Sequence, residues 1–120
     1  MLSIQSLADL EAIDPGGAFL EEIIDAFILE SETTLTHMKA AVSSGNLRNL
    51  RDYAHALRSS AAHVGARRMQ KICGVFCHAP RHEVERAAEE RMRQLLDEFA
   101  RFRTAVRYHL QERSASRRPN

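Results

Sequence analysis

Apolar residues recur at three- and four-residue intervals through most of this chain, and the recurrence breaks only at a few turn-forming clusters. From about residue 18 to residue 42, Phe19, Leu20, Ile23, Ile24, Phe27, Ile28, Leu35, Met38 and Val42 keep that spacing, which marks one face of an α-helix. A similar stripe of Met92, Leu95, Leu96, Phe99, Phe102, Val106 and Leu110 predicts a helix over residues 82–111. Residues 47–63 and 66–78 read as two shorter helices between them. A further short helix is predicted over residues 6–13, with Ser6 as its N-cap and Asp9 three residues on.

The breaks carry Gly, Pro, Ser and Asn: Asp14-Pro15-Gly16-Gly17, Ser43-Ser44-Gly45-Asn46, Gly65 alone, and Ala79-Pro80-Arg81. Connections this short make consecutive long helices antiparallel neighbours. The expected fold is all-α, an antiparallel up-down four-helix bundle with a short extra N-terminal helix. The bundle domain is expected over residues 1–112, followed by a polar, frayed tail over residues 113–120. No alternating pattern predicts a strand.

Composition agrees. Of 120 residues, 44% are hydrophobic and 28% charged, a globular balance that closes one core without disulfides or metal. Charge is unevenly spread: residues 1–60 carry four Lys/Arg against nine Asp/Glu, whereas residues 61–120 carry thirteen against seven. The basic residues are interleaved with Glu and lack an aromatic stacking set, so oppositely charged helices in one bundle are expected rather than nucleic-acid binding. The chain shows neither a signal-peptide pattern nor a run of eighteen apolar residues. A cytoplasmic location without direct membrane contact is expected. Cys73 and Cys77 read as free thiols.

The chemistry centres on the third long run, residues 47–63. At about 100° per residue, Leu47, Leu50, Ala54, Leu57, Ala61 and Val64 fall on one side of the helix. His55 points away from all of them and shares its face with Arg48, Arg51, Asp52, Arg58, Ser59 and Ala62. A solvated imidazole is a competent nucleophile near neutral pH. A phosphoryl group placed on it needs cations nearby. Arg58, three residues on, and Arg51, one turn before, supply them. Ser59 is small and leaves room over the ring. The chain shows neither a carboxylate set for Mg²⁺ nor a nucleotide-binding loop, so a carrier is expected rather than an enzyme.

The run His55-Ala56-Leu57-Arg58-Ser59-Ser60-Ala61-Ala62-His63-Val64-Gly65-Ala66 resembles the signature of histidine-containing phosphotransfer (HPt) domains. That signature reads His-x-Leu-Lys-Gly-Ser and, a few residues later, Leu-Gly-Ala. The resemblance implies that His55 is the phosphoacceptor, that Arg58 stabilises the phosphoryl group, and that Arg51, Ser59 and Ala62 meet the partner. Ser60 and Gly65 would be structural parts of the motif. Departures from the family include Arg58 for its usual Lys, Ser59 for its Gly, and Cys77 for a common acidic residue.

By the same resemblance the partners are response-regulator receiver domains. They would supply Mg²⁺, and this chain would need no cofactor or metal of its own. The parent is expected to be a bacterial hybrid sensor kinase with this domain at its C-terminal end, a free-standing protein being the alternative. An alternative is a docking module that regulates a non-receiver partner, such as an enzyme. A Cys73, Cys77, His78, His82 metal site is a weaker idea, because Ala79-Pro80 interrupts the helix between the ligands. His37 and His63 read as solvated or capping residues.

Overall fold

The structure is a computed structural model that describes residues 18–117, with side chains described over residues 19–112. It holds four helices: α1 (Ala18–Ser44), α2 (Leu47–Val64), α3 (Arg67–His78) and α4 (Arg81–Arg117). Among the described residues there is no strand. Each helix packs against its neighbours in sequence, and α4 closes the ring against α1, as an up-down bundle requires. The short helix expected over residues 6–13 lies outside the described residues.

Two turns of the same construction fold α1 onto α2 and α2 onto α3. Gly45 and Gly65 adopt φ of 70° and 78°, a left-handed conformation that only glycine adopts without strain. After each, the chain donates back to the helix it has left: Asn46 to the Ala41 carbonyl at 2.9 Å, and Ala66 to the Ala61 carbonyl at 2.9 Å. These bonds satisfy carbonyls that a helix end leaves open. Asn46 also caps α2, its side-chain oxygen accepting from the Asn49 amide at 3.1 Å. The third turn works through Pro80. Ala79 before it is extended at φ −68° and ψ 149°, the region favoured ahead of proline.

The core is drawn from the predicted stripes. Ile24, Leu35 and Met38 of α1 meet Ala54, Leu57 and Ala61 of α2, Met69, Cys73 and Phe76 of α3, and Met92 and Leu95 of α4. Phe27 and Phe102 meet edge to face, with ring centroids 5.3 Å apart. Phe76 and Leu95 are fully buried. Burying a side chain of that size stabilises the fold by about 1.5–3 kcal/mol.

The last helix runs further than the apolar stripe indicates. The stripe predicts an end near residue 111, whereas α4 continues to Arg117. Residues 101–117 contain no Gly or Pro and are rich in helix formers such as Arg, Ala, Leu and Gln. Polarity there does not end the helix. Among the described residues, no helix is long and apolar enough to cross a membrane.

Candidate functional site

His55 sits in the middle of α2 with its ring exposed. Ala54, fully buried, and Leu57, 2% exposed, lie behind it against the core. Those two anchors fix the rotation of α2, and that rotation turns His55 outward. Its ring has no side-chain hydrogen bond to the described residues. His37, by contrast, stacks on Tyr53 at 5.0 Å.

The two arginines that bracket His55 in sequence both cross to α3. Arg58 is half-buried, and its Nη1 lies 3.0 Å from Nε2 of His78. Arg51 donates from Nη1 to the Cys77 carbonyl at 3.3 Å and from Nη2 to the Ala79 carbonyl at 2.9 Å. The two guanidiniums thus form a cationic wall along the last turn of α3, facing the helix that carries His55. Arg51, placed with the partner-facing residues on the helical wheel, has its guanidinium engaged by these backbone carbonyls.

On the α1 side the surface is different. Leu29, Glu30, Ser31, Thr33 and Thr34 of α1 and Ala56, Leu57 and Ser60 of α2 line an open groove of about 450 Å³. Leu29 is 67% exposed there, one of few large apolar side chains left in water among the described residues. Ser31 is buried at the groove, its hydroxyl without a hydrogen-bond partner.

Ser59 is exposed beside His55, Ala62 is half-buried, and Gly65 is buried in the turn. Leu29, unnamed by the sequence pattern, lines the groove with Ala56 and Ser60, and His78, read from sequence only as a weak metal ligand, meets Arg58. An α2 wheel extended to Ala56 and Ser60 points to the groove side. His78 emerges only once the α2–α3 hairpin register is known.

The cysteines lie under the cationic wall. Burial pushes the Cys73 thiol up to about 12 from 9.0, reinforced by Cys77 and opposed by Arg58. Cys77 is also raised by burial, with the Arg58 and Arg51 charges working the other way. Cys73 is buried while His78 and His82 are exposed. Among the described residues no three His, Cys, Asp or Glu groups converge as metal ligands would.

The chain also matches a known family in sequence. The family model described as "Hpt domain" matches residues 22–105. The chain belongs to the Hpt family. It is also similar in structure to histidine-containing phosphotransfer protein B (HptB) from Pseudomonas aeruginosa PAO1. The two share 26% identity over 95% of each chain, with a TM-score of 0.79. No curated protein matches the chain in sequence.

This Hpt chain is a histidine phosphotransfer carrier of a phosphorelay, and its class of partner is the receiver domain. Its all-α bundle is the architecture its sequence predicts. The alternative, a docking module for a non-receiver partner, draws no support from either match.

Proposed function

We propose that His55 takes the phosphoryl group from the aspartyl phosphate of one receiver domain and yields it to the aspartate of another. The observation that carries this reading is the placement of His55: outward on α2, bracketed by Arg51 and Arg58. In the accepting step a lone pair on a neutral ring nitrogen attacks phosphorus. The N–P bond forms as the P–O bond to the aspartate breaks, and that electron pair leaves on the carboxylate. Arg58 offers charge-assisted donors to the phosphoryl oxygens as they approach.

The remaining machinery belongs to the partner. The receiver supplies Mg²⁺, while this chain supplies the nucleophile, the cationic wall and the docking surface, with no cofactor of its own. Ser59, Ala62 and the groove beside Leu29 form that surface. The relay operates in the cytoplasm, the donor being the receiver of a hybrid sensor kinase and the acceptor a separate response regulator.

Incubation with a radiolabelled phosphorylated receiver tests the assignment. Label on the chain is expected to be acid-labile and base-stable, and absent from His55→Gln. Label that persists in His55→Gln would move the acceptor elsewhere.

A further inference from the structure

We propose that His78 is a positioning residue for phosphoryl transfer, orienting the Arg58 guanidinium beside His55. This inference rests on His55 as acceptor and Arg58 as its phosphoryl-stabilising neighbour. Arg58 leaves α2 three residues after His55 and crosses to α3, where Nη1 meets Nε2 of His78 at 3.0 Å. A guanidinium has donors only. Nε2 of His78 is therefore the acceptor, and the ring proton lies on Nδ1. The guanidinium is planar with five N–H groups in a fixed fork, so holding one orients the remainder. One donor is committed to His78, and the others are left for phosphoryl oxygens.

Two further features frame this arrangement. Arg58 passes beside Gly74, one turn before His78: a Cβ built there would lie in ordinary contact, 3.8 Å from Nε of Arg58. Arg51 then fixes the backbone on both sides of His78 by donating to the carbonyls of Cys77 and Ala79. The imidazole thus projects from a turn that is itself held to α2.

The consequence is pre-organisation. An unpartnered arginine on a helix surface samples many rotamers, and each productive encounter must first freeze it. With His78 in place, that ordering precedes the arrival of the receiver, and the transfer step proceeds faster. Docking affinity is unaffected, because the bond lies within the chain.

Single-turnover transfer from a phosphorylated receiver to the full chain tests this, with folding of every variant checked by circular dichroism. His78→Leu, which removes the acceptor, is expected to slow transfer at saturation about fivefold. The half-saturating concentration stays within about twofold. His78→Gln, whose amide oxygen restores an acceptor, transfers within about twofold of wild type. In an Arg58→Ala background His78→Leu has no further effect, since there is no guanidinium left to orient.

Equal fold losses with and without Arg58 overturn the proposal. So does wild-type transfer by His78→Leu, or His78→Gln as slow as His78→Leu. If wild type takes label that His55→Gln retains, the acceptor assignment fails and this inference with it. If His55→Gln loses the label but the His78 variants behave like wild type, the inference alone fails.

Discussion

The guanidinium of Arg51 and the carbonyl of Ala79 lie 2.9 Å apart, tying the middle of α2 to the residue that follows α3. Helix α3 ends because Pro80 cannot continue it, and its last carbonyls are left without intrahelical donors. Arg51 supplies two N–H groups and a positive charge where the helix dipole is negative. The side chain is half-buried, so these bonds are sheltered from water.

Removing Arg51 should therefore be felt first in stability. Arg51→Ala is expected to lower the unfolding free energy by about 1–3 kcal/mol, the range for hydrogen bonds to a charged group and the carbonyls left bare. Arg51→Lys restores the charge but not the two-pronged geometry, and recovers part of the loss. Urea denaturation measures both. Wild-type stability in Arg51→Ala would show that water satisfies these carbonyls equally well.

The hairpin turns give a second expectation. At Gly45 a Cβ meets nothing within 4 Å, so Gly45→Ala isolates the cost of a left-handed backbone in a residue with a side chain. That cost is about 1–2 kcal/mol. Gly65 has the same conformation but is buried, and Gly65→Ala should cost at least as much. Thermal or urea melts that rank Gly65→Ala above Gly45→Ala in stability would contradict this account of the turns.

These residues show where sequence is sufficient and where it is not. The helices, Gly65 as a helix end and the outward turn of His55 are local: each follows from spacing within one helix or turn. The Arg51 bonds to Cys77 and Ala79 span 26 and 28 residues, and the Arg58 contact with His78 spans 20. They depend on the register of α2 against α3, which periodicity does not specify. Leu29 stands outside the apolar stripe of α1, and its exposure beside Ala56 depends on how α1 is placed. The length of α4 is hidden for another reason: beyond residue 111 the sequence carries no apolar stripe to mark an end.

Gly74 separates helix propensity from the Arg58 path. It lies inside α3, where glycine costs about 0.5–1 kcal/mol relative to alanine. A Cβ would make only ordinary contact with Nε of Arg58, at 3.8 Å. Gly74→Ala should therefore raise stability by about 0.5–1 kcal/mol in urea denaturation. Gly74→Leu should displace Arg58 and slow phosphoryl transfer, while Gly74→Ala leaves the pairing with His78 intact. Nitrogen-detected NMR of the Arg58 side chain distinguishes the two. An Arg58 signal shifted equally by both variants would contradict the steric account.

The buried thiol of Cys73 gives the chain a particular response to alkali. In the folded protein this thiol is pushed up to about 12 by burial, from 9.0 for a free thiol. Below pH 9 both folded and unfolded chains hold the proton, and the thiol leaves stability unchanged. Above it the unfolded chain releases a proton that the folded chain retains, so stability falls as pH rises. The slope is about 1.4 kcal/mol per pH unit for one group, and it ends where the folded thiol itself ionises. Cys77, raised in the same direction, adds a smaller contribution. Urea titrations between pH 8 and 11 should find wild type losing stability more steeply than Cys73→Ala, by about 1 kcal/mol per pH unit above pH 9. Cys73→Ala begins from a lower value because it leaves a cavity, so the comparison rests on the slopes. Parallel curves would mean that Cys73 ionises as readily in the folded bundle as in the open chain.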